Sequence, residues 1–334
     1  MANETRKVPE RINLLQWTNE TIQKGWLQYF RLKQDFEKIV RKLSPDLIHA
    51  GPIQKMAFLP ALINFHPLIS MSWGTDMMTD AHRNLYWDWV TRFTLQHTDV
   101  FISDCQAVGR VATQYSFPGE RMVIFPWGVD LDKFKPGKSK KLRGRMKWGD
   151  EFIILSTRNW EDRYGVDLVV QAFCSCAAHI PQARLVLVGG GSLEDDLKKM
   201  VSAANLEGRV SFIGRIDYER LPEYYQAADF YVSASHSDGS SVSLMEALAC
   251  GLPSLISDIP SSFEWVEPGM QGWLFKDNDV DDLSKKIIEV YEQRHHLEDY
   301  KKNARKTAET KADWSKNSQL LFHAYEMAIK YSEK

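Results

Sequence analysis

Short aliphatic and β-branched runs recur along the chain, each followed by a stretch with helical spacing of its apolar positions. Asp46 to His49, Pro67 to Ser72, Asp99 to Ser103 and Met122 to Phe125 read as strands in the first part. After a break come Phe152 to Ser156, Arg184 to Val188, Val210 to Ile213, Phe230 to Ser235 and Pro253 to Ile256. These runs are apolar almost throughout instead of alternating, as expected of strands covered on both faces. Helical patterns of about 10 to 20 residues separate them, and that alternation builds doubly wound parallel sheets. The pattern predicts an α/β protein.

The pattern lapses between Pro126 and about Lys147, where "WGVDLDKFKPGKSKKLRGRMKW" carries eight Lys or Arg residues, at 133, 135, 138, 140, 141, 143, 145 and 147. A charge run of this kind reads as a solvated linker leading into a short helix, with contact to an anionic membrane surface as the alternative. Asp130 and Asp132 within it resemble a metal-binding pair, but without a third ligand they read as turn chemistry. We take the lapse as the boundary between two Rossmann-like domains, residues 1–130 and 131–313. A final amphipathic helix, about 314–334, would pack back onto the first. At the other end the chain opens on polar residues and "RINLLQW", then a long helix from about Thr18 to Leu43.

Composition narrows the partners. The chain has 334 residues, 44% hydrophobic and 26% charged, enough for two domains with full cores. A net charge of -2 argues against nucleic acid as a partner. No apolar run approaches the roughly 18 to 20 residues of a membrane span, and the polar start is not a signal peptide. Cys105, Cys174, Cys176 and Cys250 lack metal or disulfide spacing and read as reduced thiols of a cytoplasmic protein.

The stretch "SHSDGSSVSLMEALACGLP", Ser235 to Pro253, holds the candidate chemistry. It follows a strand, and in open α/β sheets ligands bind beyond the carboxyl ends of strands. With a helix starting near Ser240, the amides of Ser240, Ser241 and Val242 would face the crevice, and Gly239 with the small serines would let a phosphate approach. Asp238 lies before the helix and Glu246 two turns into it. Asp238-Gly239 with a Ser240 cap would explain the loop as simple turn chemistry. That reading leaves Glu246 unexplained, because an acid among Leu244, Met245, Ala247 and Leu248 needs a partner. Carboxylates that accept hydrogen bonds suit a polyhydroxylated ligand, so the two acids read as clamps on sugar rings flanking a phosphate. Gly251 and Pro253 end the helix in the ordinary way, and Ser261 to Glu264 fits a capping box that assigns Glu264 no function.

"DGSSVSLMEALACGLPSLISDIPSSFEWV" resembles the acid-x7-Glu motif of the family-4 retaining glycosyltransferases of the GT-B fold, the group 1 glycosyltransferases. "PWGVDLDKF", "VGGGSLEDDL" and "GRIDYERLPEYYQAADFYVSAS" resemble that family's hinge, glycine turn and base-contacting stretch. The resemblance implies two Rossmann-like domains facing each other across a cleft, an acceptor side in the first and a nucleotide-sugar site in the second. It implies Asp238 at the donor sugar, Glu246 at the nucleotide ribose, and Ser240, Ser241 and Val242 at the diphosphate. The family's phosphate-binding arginine falls on Arg158, and its partner lysine falls on Tyr164, with Arg163 next door as the substitute charge. Gly190 falls in the glycine turn, and Arg215 falls beside the base. In the first domain "PLISMSWGTDMM" resembles a His-Gly-Ser-Asp segment, keeping Gly74 and Asp76 and placing Trp73 where a histidine is common. Trp73 would stack on a sugar or simply pack; His49 and His66 read as core or strand-end residues. The family's opening strand and glycine-rich loop have no counterpart here, so the first domain reads as short by one strand–helix unit, through truncation or a compact design.

The implied reaction transfers a sugar from a UDP-, GDP- or ADP-sugar to the hydroxyl of a glycan, lipid or small molecule, retaining anomeric configuration, with no cofactor and no metal. Arg158 and Asp238 would carry the chemistry. Rival readings are a scaffold that keeps the donor pocket without turnover, an epimerase of the same fold, and an oxidoreductase. The last rests only on Gly189-Gly190-Gly191, whose dinucleotide spacing fails at Glu194.

Overall fold

The structure is a computed structural model and describes residues 26–332. The chain divides into two compact units, one ending at Pro45 and one beginning at Asp46. The described part of the first is helix α1 (Trp26–Leu43). It matches the later part of the long helix expected from Thr18; the earlier part of that helix and "RINLLQW" lie outside the described residues.

The second unit contains two parallel sheets. The first has four strands in the order β1 (Ile48–Ala50), β2 (Leu68–Met71), β3 (Val100–Ser103) and β4 (Met122–Ile124). Helices α2 (Phe58–Leu62), α3 (Thr75–Met78), α4 (Leu85–Gln96) and α5 (Gln106–Gln114) connect them. Side chains alternate across this sheet, so Phe101 packs with Val108 and Ala112 of α5 on one face. On the other face Ile69, Val100 and Ile102 meet Ala324 and Ala328 of the C-terminal helix.

The second sheet is entered through α6 (Lys140–Met146). Along the chain follow β5 (Phe152–Ser156), α7 (Val166–Cys176), β6 (Ala183–Val188), α8 (Glu194–Ala203), β7 (Val210–Gly214), α9 (Leu221–Ala227), β8 (Phe230–Ser233), α10 (Val242–Ala249), β9 (Ser254–Ser257) and β10 (Gly272–Phe275). Three helices close the chain: α11 (Val280–Glu292), α12 (Glu298–Lys311) and α13 (Trp314–Ser332). The strand order β10-β9-β8-β5-β6-β7 is all parallel, and it reverses direction between β5 and β8. Ile154, Leu185 and Phe230 face α7 and α11, while Leu155, Val186 and Tyr231 face α10 and α12. Burial on both faces is why these strands read as continuous apolar runs.

The chain crosses between the sheets twice at one place. Val129 donates to Ala312 O (2.8 Å), and Trp314 N donates to Val129 O (3.2 Å). Gly128, at φ +84, lies so close to this crossing that an added Cβ would sit 2.8 Å from Trp314 N. Asp130 Oδ1 accepts from the amides of Asp132 (2.9 Å) and Lys133 (3.0 Å), which makes the acid pair a turn.

Candidate active site at the switch point of the second sheet

Where strand order reverses, the loops after the two central strands diverge and leave a crevice. Here those loops follow β5 and β8. The first delivers Thr157, Arg158 and Asn159; the second delivers Ser235 to Ser241 and then α10. From these loops Thr157, Arg158, Asn159, Asp238, Ser240, Ser241 and Val242, together with Trp73, Asp104, Trp127, Tyr164, Ser243 and Glu246, line a cavity of about 350 Å³.

Arg158 organises it. The residue is 9% exposed. Its Nη1 donates to Ser241 Oγ (2.6 Å) and Ser243 Oγ (3.0 Å), and its Nη2 donates to Asp238 Oδ2 (2.6 Å). The guanidinium lies 4.2 Å from the centre of the Tyr164 ring. Burial pulls its pKa down, but the charge of Asp238 and the phenols of Tyr231 and Tyr164 raise it above the usual value, so it stays a cation. Its Nε is buried without a hydrogen-bond partner.

The helix begins one residue later than the sequence suggests. Ser241, not Ser240, is the cap, and its hydroxyl accepts from Leu244 N. The amides of Ser241 and Val242 head α10, where no earlier carbonyl of the helix can pair with them. Ser240 N–H is not free as expected: Asp104 Oδ2, from the turn after β3, accepts it at 2.8 Å. Ser240 Oγ in turn donates to the Asp104 carbonyl (2.5 Å).

Glu246 is 4% exposed and has the partner its setting demands. The Tyr225 hydroxyl donates to its Oε2 (2.8 Å) and is itself 2.8 Å from Thr157 Oγ1. Burial pushes the Glu246 carboxyl up to about 7, against the opposing effects of Tyr225 and the Lys133 charge. Asp104 is likewise pushed up, to about 6, chiefly by burial, and further by the nearby charges of Asp238 and Asp76; the Ser240 amide opposes the shift.

The cavity gathers Trp73, Arg158, Asp238, Ser240, Ser241, Val242 and Glu246 of the residues singled out in the sequence. Others lie elsewhere. Gly74, at φ +91, faces Gly239, and a Cβ on it would sit 2.3 Å from Gly239 N, so both glycines serve a close loop contact. Asp76 is buried within its own loop instead of facing the cleft. Its oxygens accept from Ile53 N (3.0 Å), Ser72 Oγ (2.7 Å) and Trp73 N (2.9 Å). Arg163 is exposed, with its guanidinium 5.5 Å from the Tyr164 ring. Tyr164 itself, stacked on Arg158, fills the position of the expected lysine. Gly190 and Arg215 sit together outside the cavity, with Arg215 Nε 3.4 Å from where a Gly190 Cβ would be. Trp73 is 59% exposed, so it is not a packing residue.

Sequence reasoning missed Thr157, Tyr225 and Ser243, which pair within the site, and two carboxylates that reach across from one sheet to the other. Asp104 is one. Glu264 is the other: it forms no capping box, and instead its Oε2 and Oε1 accept from the Gln106 (2.9 Å) and Ala107 (2.8 Å) amides, capping α5 from the other sheet. Among the described residues no group of three His, Cys, Asp or Glu side chains is placed to hold a metal ion. No helix of the described residues is long and apolar enough to cross a membrane.

A six-stranded doubly wound sheet with an anion-ready helix terminus and a buried arginine at its switch point, facing a second parallel sheet, defines an α/β protein of the GT-B type. The family described as "Glycosyl transferases group 1" matches residues 138–307, and "Glycosyl transferase 4-like" matches residues 2–105. The chain belongs to the group 1 glycosyl transferases. Among its relatives, the sulfoquinovosyl transferase SQD2 of Arabidopsis thaliana is 24% identical over 88% of this chain and 59% of that protein. A GDP-mannose-dependent alpha-(1-6)-phosphatidylinositol monomannoside mannosyltransferase of Mycolicibacterium smegmatis is 26% identical over 51% of this chain and 47% of that one. The chain thus spans about half to three fifths of the length of these curated relatives. Anabaena HepE in complex with UDP has the same fold, with a TM-score of 0.79 at 22% identity, covering 89% of this chain and 83% of that one. Sucrose-phosphate synthase of Thermosynechococcus elongatus gives 0.78 at 22% identity, covering 90% and 78%.

Proposed function

We propose that this chain is a retaining glycosyltransferase that moves a sugar from a nucleotide diphosphate to an acceptor hydroxyl. The observation that carries the reading is Arg158, a buried cation that lines the cavity beside the Ser241 and Val242 amides at the first turn of α10. A fixed cation beside helix-start amides suits an anionic ligand. The relatives' names support a nucleotide-sugar donor, since one is GDP-mannose-dependent and HepE was crystallised with UDP and with UDP-glucose.

On this reading the diphosphate sits between Arg158 and the Ser241 and Val242 amides. Once a phosphate engages Arg158, Asp238 is released to accept hydrogen bonds from the donor sugar. Glu246 accepts from the ribose, Arg215 and Gly190 lie toward the base, and the exposed Trp73 ring offers a stacking face on the acceptor side. As the bond from the anomeric carbon to the phosphate oxygen breaks, negative charge grows on the diphosphate, and fixed donors there are usually the largest electrostatic contribution. The departing phosphate oxygen takes the acceptor's proton as the acceptor oxygen bonds to the same face of the sugar. Arg158 carries the positive charge, so the reaction as proposed requires no metal and no cofactor. The protein would work in the cytoplasm. Contact of the 133–147 stretch with an anionic membrane surface rests on its eight Lys and Arg residues.

The test is release of nucleotide from a panel of UDP-, GDP- and ADP-sugars, with a metal chelator present. Turnover of one donor is expected. Tight donor binding without release would leave a scaffold, and dependence on added magnesium would contradict the metal-free account.

A further inference from the structure

An anion of the protein itself sits beside the start of α10. That anion is Asp104, which reaches in from the turn after β3, on the first sheet. Its Oδ2 holds the Ser240 N–H at 2.8 Å, and Ser240 Oγ returns a bond to the Asp104 carbonyl at 2.5 Å. Trp265 Nε1 donates to the same hydroxyl (3.3 Å) and fixes it from behind. The fit has no slack: a Cβ on Gly239 would lie 2.1 Å from Asp104 Oδ2. Yet the carboxylate is not well satisfied. Asp104 is 5% exposed, and its Oδ1 is buried with no hydrogen-bond partner.

A half-satisfied buried carboxylate is costly to the fold and calls for a reason. Pairing the buried Ser240 amide, which lies before the α10 cap, accounts for an acceptor there but not for a charged one. Charge itself supplies the reason. Asp104 holds an anionic oxygen on the amide next to the Ser241 and Val242 amides that would bind the phosphate. Arg158 is the only cation lining the cavity among the described residues, and Asp238 already holds it. Asp238 and Asp104 thus both border the donor seat, and a diphosphate arriving there meets like charge at close range.

We propose that Asp104 is a competing anion that gates the donor seat: its carboxylate, held on the Ser240 amide one residue before the Ser241 and Val242 amides, repels the donor's diphosphate from them. The proposal rests on the nucleotide-sugar reading of this site. Asp104→Asn separates charge from shape, because the Asn oxygen can still accept from Ser240 N–H while the negative charge is gone. The experiment is calorimetric titration of the full chain with UDP, inorganic pyrophosphate and uridine, comparing wild type with D104N. D104N should bind UDP and pyrophosphate at least tenfold more tightly than wild type, and bind uridine within twofold of it. If D104N does not fold, D104S removes the same charge and gives the same readout. Equal or weaker diphosphate binding in the variant, or an equal gain for uridine, would overturn the gate while leaving the donor site standing. Failure of both proteins to bind UDP, GDP, ADP or pyrophosphate would remove the donor site and the gate together.

Discussion

Replacing Glu246 by glutamine should stabilise the protein, by an amount that grows as pH rises from about 4.5 through about 7. In the folded chain this carboxyl is buried on α10 and pushed from its ordinary 4.5 to about 7, chiefly by desolvation. A raised carboxyl means that the folded state holds its proton more tightly than the unfolded state does. Below about pH 4.5 both states are protonated and Glu246 contributes nothing to the pH dependence. As pH rises from there through about 7, the unfolded chain ionises first and stability falls; above that window the folded state carries the full cost of a buried charge. The gap between 4.5 and about 7 converts to about 3 kcal/mol as an upper value. Glutamine has no charge to bury, and its carbonyl oxygen can still accept from the Tyr225 hydroxyl. Urea unfolding of wild type and E246Q at pH 5 and pH 8 isolates the effect, because every other titrating group, Asp104 included, is common to both. We expect the two proteins to agree within about 1 kcal/mol at pH 5, and E246Q to be more stable by about 2 to 3 kcal/mol at pH 8. A difference that is the same at both pH values would show that the Glu246 carboxyl titrates alike in the folded and unfolded chain, and the argument would fail.

Other substitutions test the division of labour. Arg158→Ala should remove about 2 to 4 kcal/mol of transition-state stabilisation, read as a loss in kcat/KM; undiminished turnover would take Arg158 out of the reaction. Glu246→Gln should weaken binding of free nucleotide, whereas Asp238→Asn should affect intact donor far more, and equal effects on both ligands would contradict the assignment. Glu264→Ala should lower stability by about 1 kcal/mol through loss of the cap on α5, with amide exchange rising at Gln106 and Ala107; unchanged exchange there would refute the cap.

The fold was legible where burial on both faces wrote itself into the sequence. Strands β5 to β9 are aliphatic runs that only a doubly covered sheet accommodates. β10 escaped notice because "GWLF" is four residues long, opens on glycine and contains no β-branched residue. At the site, Asp238 and Glu246 were readable because loop, helix start and motif lie close together in sequence, whereas Arg158, 80 residues before Asp238, was placed by the family resemblance. Asp104 and Glu264 were not readable. Their partners lie 136 and about 158 residues away, and a carboxylate facing a distant amide leaves no periodic or local trace. Asp76 failed in the opposite direction: its motif position suggested the cleft, but three donors within reach of its loop consume both oxygens. Ser240 failed for the same reason Asp104 was missed, since the amide that local geometry leaves free is taken by the other sheet.

The most direct measurement is a crystal structure of the full chain with a bound nucleoside diphosphate. The account predicts phosphate oxygens about 3 Å from the Arg158 guanidinium and from the Ser241 and Val242 amides, with Asp238 no longer paired to Arg158. A diphosphate seated away from the start of α10, with the Arg158–Asp238 pair intact, would contradict it.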